Sequence, residues 1–318
     1  MESLLAWVRA FRLSPLAFRR ITLVAAILIA VIIVTGAAVR LTNSGLGCPD
    51  WPKCDPHSLT ARPQSDFHKK IESTNRMFTG LVSIAVIVAV LGALRRAPRR
   101  RDLTWLSLGL VAGVIGQIIL GGITVLSGLA PQAVGAHLVL SMLLLWDALL
   151  LHHRAGERQD APRRLVDRPT LRLGQALVAW AGVVVITGTV VTGTGPHAGD
   201  RSARRYTFFL PDVARVHSAT VWIFLAGVLL LIWMLRSRGA PKSVMQSTGT
   251  LLVLLIAQGA LGYIQYFNGV PALLVGFHVA GATAVFAATV VLCLRMVTRG
   301  EGLEPRVAAE PSPRLVTA

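Results

Sequence analysis

Charge is what this sequence has least of for its length. Only 15% of its 318 residues are Asp, Glu, Lys or Arg, where a water-soluble domain carries about a quarter. That shortage, with 53% hydrophobic residues gathered in long unbroken runs, excludes an ordinary soluble domain and points to a membrane protein. Acidic residues are scarcer still: 15 against 32 Lys and Arg, a formal charge of +17. No basic face or stacking platform accompanies the excess, so nucleic-acid binding is excluded. Cysteine is also rare, at three residues. No second Cys or His pair stands near Cys48 and Cys54 to complete four ligands, which argues against a structural metal site there. Nor does the first apolar run look like a cleaved signal. The first apolar run is too long for a signal core and "RLTNSGLG" after it is a poor cleavage site, so the run reads as a retained helix.

What is present is a series of eight apolar runs near the roughly 20 residues that a bilayer requires. They fall at 21–41, 71–94, 104–126, 133–152, 173–194, 214–235, 246–267 and 273–297. The expected fold is an all-α polytopic membrane protein. Basic clusters alternate with the runs: Arg9, Arg12, Arg19 and Arg20 in an N-terminal arm, five arginines in 95–101, a further set in 153–172, and Arg236, Arg238 and Lys242. Clusters of this kind mark the cytoplasmic side. Both termini are therefore expected inside, and the loop 42–70 outside in the cell membrane. Cys48 and Cys54 then lie on the oxidising face, where a disulfide persists, while Cys293 reads as a lone buried thiol near the cytoplasmic end of the last helix.

The chain repeats itself. "GQIILGGITVLSGLAPQAVGAHLVLSMLLL" from Gly116 matches "AQGALGYIQYFNGVPALLVGFHVAGATAVF" from Ala257, with Gln117 to His137 and Gln258 to His278 at equal spacing. "VTGAAVRLTNSGLG" from Val34 matches "ITGTVVTGTGPHAG" from Ile186. Two pseudo-symmetric four-helix bundles of one orientation follow, a parallel repeat. The expected division is an arm at 1–20, a first bundle at 21–152, a linker at 153–172, a second bundle at 173–297 and a tail at 298–318.

Three histidines, His137, His217 and His278, stand near the outer ends of helices 4, 6 and 8. Ionisable groups at such depth mark function. Two imidazoles facing across a four-helix bundle hold haem iron from both sides, so His217 and His278 are the expected axial ligands of a haem in the second bundle. In the first bundle His137 matches His278, but the place of His217 falls on Asn75 or Arg76 within "FHKKIESTNRMFTG". Glu72 lies three residues before Asn75. His68 lies a further turn out, about 10 Å along the axis from Asn75.

At these residues the chain resembles the haem A synthase family. The resemblance is carried by "VRLTNSGLGCPDWPKC", "IESTNR", "GTGPHAGD" and the three histidines, and it extends over about 20–300. It implies an enzyme that oxidises the C8 methyl of haem O to a formyl group by successive hydroxylations and loss of water, supplying haem A to terminal cytochrome oxidase. It implies a haem b cofactor between His217 and His278, a substrate haem on His137, a catalytic carboxylate at Glu72, and a cysteine pair at Cys48 and Cys54. Many members read Glu-x-x-His-Arg where this chain reads Glu72-x-x-Asn75-Arg76. The ligand opposite His137 is thus left open between Asn75, water and His68.

Arg76 and Arg40 are candidates to bind a propionate of the substrate haem, with snorkelling to headgroups as the bland reading of both. The partners implied are haem O, haem O synthase, an electron acceptor and membrane lipid, and a homo-oligomer is compatible with the reading. The competing class is a di-haem b-type electron carrier between quinone and a partner protein. It would keep two full histidine pairs, whereas this chain keeps one pair and a lone histidine beside a carboxylate. A transporter would place its polar residues at the midplane, and here they gather at the outer boundary.

Overall fold

Each apolar run begins and ends where the local chemistry dictates. Ser14 caps the first helix by accepting from Ala17 N–H, and Asp66 caps the second by accepting from Lys69 N–H. Proline occupies the first turn of four helices, where its missing N–H costs nothing. Two helices stop in the same way. Leu129 N–H reaches back to Thr124 O and Val270 N–H to Gln265 O, at 2.9 and 2.8 Å. Those contacts follow left-handed glycines at Gly128 and Gly269 and precede Pro131 and Pro271, which open the next helices. Val270 itself sits at φ 58°, a costly conformation for a β-branched residue.

The computed structural model describes residues 12–55, 57–62 and 64–300. It contains α1 (Pro15–Leu41), α2 (Phe67–Arg95), α3 (Arg101–Leu126), α4 (Pro131–Ala155), α5 (Arg168–Thr194), α6 (Leu210–Ser237), α7 (Lys242–Phe267) and α8 (Ala272–Leu294). All eight are long and apolar enough to cross a membrane. The shortest has 23 residues, about 34 Å at 1.5 Å per residue, against a hydrocarbon core of about 30 Å. The chain is an all-α, multi-pass membrane protein. Several helices start or end a turn away from the apolar runs; α1 takes in Arg19 and Arg20, assigned above to the N-terminal arm. Arg9, the rest of the arm before residue 12, and the tail after residue 300 lie outside the described residues.

Helix contacts close two rings. In one, α1 touches α2, α2 touches α3, α3 touches α4 and α4 touches α1. In the other, α5, α6, α7 and α8 do the same in order. The rings meet through α1 with α8, α4 with α5, and α4 with α8. Leu, Val, Ile and Phe side chains such as Phe18, Ile29, Leu145, Phe224, Leu231 and Leu251 fill the interior. Large apolar side chains including Trp105, Phe267 and Leu273 stand outward and more than 70% exposed, as a lipid-facing surface requires.

One end of the helices carries the cysteine loop. There Gly45 N–H bonds Gly199 O, and the His197 ring nitrogen Nε2 meets Val270 O at 2.8 Å, so three connections pack together. The other end is rich in arginine. Arg100, fully buried, donates to the carbonyls of Arg154 and Glu157 and to Asp102, and Arg154 adds ion pairs to Asp102 and Glu157. A two-residue ribbon, β1 (Arg163–Arg164) against β2 (Val297–Thr298), ties the segment between α4 and α5 to the chain after α8.

Candidate functional site

The three histidines that the sequence singles out each lie on a glycine of a neighbouring helix. A Cβ built on Gly121 of α3 would come within 3.4 Å of His137 Cε1. On Gly188 of α5 it would meet His217 Cε1 at 3.2 Å, and on Gly262 of α7 it would meet His278 Cε1 at 3.1 Å. At Gly188 and Gly262 a side chain would crowd the imidazole, while at Gly121 it would just touch it. The backbone is pinned as well: Gln117 Nε2 donates to His137 O at 3.2 Å and Gln258 Nε2 to His278 O at 2.7 Å. The equal spacing in the sequence is therefore one contact made twice.

His217 has its tautomer fixed by hydroxyls. Thr187 donates to Val184 O and Thr220 to His217 O, so the Thr187 oxygen is left to accept from His217 Nδ1–H at 3.0 Å. Nε2 then carries the lone pair, the state in which imidazole binds a metal. His137 and His278 each have a buried Nδ1 without a partner among the described residues. An unsatisfied buried nitrogen costs about 1–3 kcal/mol, and a metal bond at that same nitrogen would remove the cost. Glycine cradles, an imposed tautomer and orphaned ring nitrogens all suit haem iron, with His217 and His278 on α6 and α8, opposite members of one ring.

In the other ring the same threonine meets a different partner. Thr35, the counterpart of Thr187 in the repeat, donates to Asn75 Oδ1 at 2.9 Å. A Cβ on Gly36, the counterpart of Gly188, would meet nothing within 4 Å. Asn75 thus stands where His217 stands, and its smaller side chain leaves the space over Gly36 open. His68 lies in the first turn of α2 with Nδ1 on Ser44 Oγ at 3.0 Å, held to the cysteine loop.

Glu72 and Arg76 form a clamp on that loop. Glu72, 6% exposed, accepts from Cys48 N–H at 2.7 Å through Oε2 and from Arg76 at 2.6 Å through Oε1. Arg76 also donates to Cys48 O, Pro52 O and Lys53 O. Its guanidinium is thus engaged by the loop and by Glu72. Cys48 and Cys54 are disulfide-bonded with Cα atoms 4.4 Å apart. Gly47 lies so close to the His68 carbonyl that a Cβ would reach it at 2.6 Å. Lys69 binds Asp55 at 2.8 Å, and this hydrogen bond holds the Asp55 carboxyl below the usual carboxylate range. Trp51 rests on Gly122 of α3, next to the Gly121 that carries His137. The loop therefore closes one end of the first ring.

Arg40 goes elsewhere. It leaves the end of α1 and donates to Thr192 O of α5 at 2.6 Å, across the junction of the two rings. Glu72, Arg76 and the cysteine pair come together, as do His217 and His278; Arg40 does not join the first group. Thr35, Thr187, Trp51 and the three cradle glycines are site residues that the reading of the sequence passed over. Their signal was available in the repeat, where Thr35-Gly36 aligns with Thr187-Gly188 and Gly121 with Gly262. Asp147 was also missed: an intramembrane carboxyl on α4 whose room is made by Gly109 of α3.

Residues 19–202 match the cytochrome oxidase assembly protein family, COX15-CtaA. The chain belongs to that family. Among curated proteins it is 28% identical over 280 residues to a haem A synthase of Listeria welshimeri, covering 83% of this chain and 90% of that one. A haem A synthase of Bacillus pumilus is 26% identical over 230 residues, 68% of this chain and 72% of its own. One of Shewanella oneidensis is 30% identical over 191 residues, 55% and 54% respectively.

Proposed function

We propose that the chain is a haem A synthase, an oxidoreductase that converts the C8 methyl of haem O into a formyl group. The observation that carries the reading is the asymmetry between two otherwise matched settings. Thr187 orients His217 opposite His278, whereas Thr35 holds Asn75 in the ring of His137. A permanent cofactor suits two strong ligands, and a substrate that enters and leaves suits one. We assign α1–α4 to the substrate, with His137 as ligand, and α5–α8 to haem b between His217 and His278.

Two hydroxylations of the methyl, each taking its oxygen from water and giving up two electrons and two protons, give a geminal diol, and loss of water leaves the formyl group. Haem b, when bound, supplies a one-electron relay toward an acceptor. The protein's part begins at Glu72. Both of its oxygens have donors, which favour the ionised form, so the carboxylate takes up a proton more readily once one donor lets go. Cys48 N–H is the donor on a loop, and lifting that loop frees Oε2. Asn75, with its carbonyl oxygen accepting from Thr35, has both N–H donors to offer. It is a donor toward a bound water and a poor ligand to iron. The arginine-rich end faces the cytoplasm with both termini, and the cysteine loop lies outside, by the distribution of basic residues. Haem O synthase is the natural supplier of the substrate.

Two measurements test the reading. Pigment extracted from protein purified after co-expression with haem O synthase should contain haem O or haem A beside haem b, by mass. Two equivalents of haem b and no other porphyrin would favour the di-haem carrier. Glu72→Gln should keep the haem b spectrum and yield no haem A; a normal yield would remove Glu72 from the chemistry.

A further inference from the structure

Where α1 ends, α4 begins and α5 ends, a cavity of about 30 Å³ lies at the junction of the two rings. Arg40 lines it from one side and Arg204 from another. The Arg40 guanidinium is only partly satisfied: Nη2 donates to Thr192 O, while Nε is buried and has no partner. No carboxylate among the described residues pairs with Arg40 or Arg204. Arg205 adds a third positive charge close enough to act on Arg40, and it donates to Pro196 O. The start of α4 is the fourth contribution. Pro131 and Gly135 line the cavity, and Ala130 gives this helix no side-chain cap, so the positive end of its dipole faces the cavity without a side-chain acceptor.

Arg40, Arg204 and the start of α4 thus converge on a small cavity that no carboxylate lines. The buried Arg40 Nε–H without an acceptor is unfavourable, and an anion in the cavity would relieve it. We infer that Arg40, Arg204 and the start of α4 form an anion site for a single carboxylate. Size decides the class. The cavity holds on the order of two oxygen-sized centres, which accommodates a carboxylate and excludes a porphyrin ring or a whole lipid headgroup. In the internal repeat Arg40 aligns with Thr192, the very residue whose carbonyl it binds, so the site occurs once per chain and at the boundary between the copies. The carboxylate has two sources, a propionate side chain reaching in from a bound porphyrin or a free small acid from the aqueous phase. The first source rests on the function proposed above; the second does not.

The test uses the full-length protein in detergent with its haem b retained, and it has two arms. In the first, haemin and its dimethyl ester are titrated into wild type, Arg40→Gln and Arg204→Gln, and binding is read by absorbance. A propionate in the site predicts at least about tenfold tighter binding of the free acid to wild type, a preference that Arg40→Gln reduces to within about twofold. In the second, thermal unfolding of protein without added porphyrin is compared in sodium formate and in sodium chloride at equal ionic strength. A free carboxylate predicts a formate-specific rise in Tm that Arg40→Gln lacks. Arg204→Gln, at an exposed position, answers the same questions if Arg40→Gln loses its haem b spectrum. The proposal is overturned if wild type shows neither the ester preference nor the formate shift, or if both variants keep whichever effect wild type shows. A formate shift in protein that carries only haem b would sustain the site while the haem A synthase reading failed.

Discussion

Thr35 stands to Asn75 as Thr187 stands to His217: each hydroxyl meets the side chain on the next helix, at 2.9 and 3.0 Å. The threonine is present in both rings and the histidine in only one. Asn75→His should therefore place an imidazole on a hydroxyl already positioned to orient it, over the open space at Gly36. Protein loaded with substrate haem should shift toward a low-spin, doubly ligated absorption spectrum. His68→Ala should leave that spectrum unchanged, since His68 is bound to Ser44. Loss of substrate haem in the His68 variant, with no change in the Asn75 variant, would show that α2 rearranges to bring His68 to the iron.

The glycine cradles make a separate prediction. Gly262→Ala would bring a methyl group to about 3.1 Å from His278 Cε1, tight enough to push the ring by a few tenths of an ångström. Overpacking of this kind costs about 1–3 kcal/mol. Haem b should remain bound with altered paramagnetic resonance g-values, whereas His278→Ala should abolish the low-spin signal. A spectrum of the Gly262 variant identical to wild type would mean that the ring is not held where the glycine puts it.

The eight helices were legible because a bilayer demands long apolar runs, and these are the strongest signals a sequence carries. The histidines were legible because ionisable groups are rare among such runs. The clamp of Glu72 and Arg76 on Cys48 was not. Periodicity places Glu72 and Asn75 on one face of α2, but it does not say which neighbour each side chain meets. Glu72 turns to a loop that folds back from 24 residues upstream. Arg40 escaped for a similar reason: its partner, Thr192, is 152 residues away in the other half of the repeat. Element boundaries moved where a cap or a proline, rather than hydrophobicity, set the end of a helix.

The ion pair of Lys69 with Asp55 gives the loop a pH dependence of defined sign. The folded Asp55 carboxyl titrates below its unfolded value, so the contribution is present at neutral pH and above the ordinary carboxylate pKa of about 3.9. It is lost as pH falls below that value toward the folded pKa. Hydrogen exchange over residues 48–60 should be slow and steady from pH 7 to 5, after correction for intrinsic rates, and should rise at more acid pH. Asp55→Asn should remove the step. A step that persists in this variant would belong to another group.

The same loop allows its fastenings to be ranked. The disulfide closes only the short segment from Cys48 to Cys54, so in the chain-entropy model its loss costs on the order of 2 kcal/mol. Arg76 joins α2 to three loop carbonyls and to Glu72, whose carboxylate is 6% exposed. Removing the guanidinium frees those carbonyls and leaves a buried carboxylate without its cationic partner, which costs on the order of 3 kcal/mol. Arg76→Gln should therefore loosen the loop more than Cys48→Ser with Cys54→Ser. Both proteins should keep haem b, because His217 and His278 lie in the other ring. Exchange rates over residues 48–55 and the Tm of each variant provide the comparison. If the cysteine variant is the looser of the two, the covalent link rather than the clamp holds the loop over the first ring, and Glu72 would be freed by reduction of the disulfide rather than by movement of an intact loop.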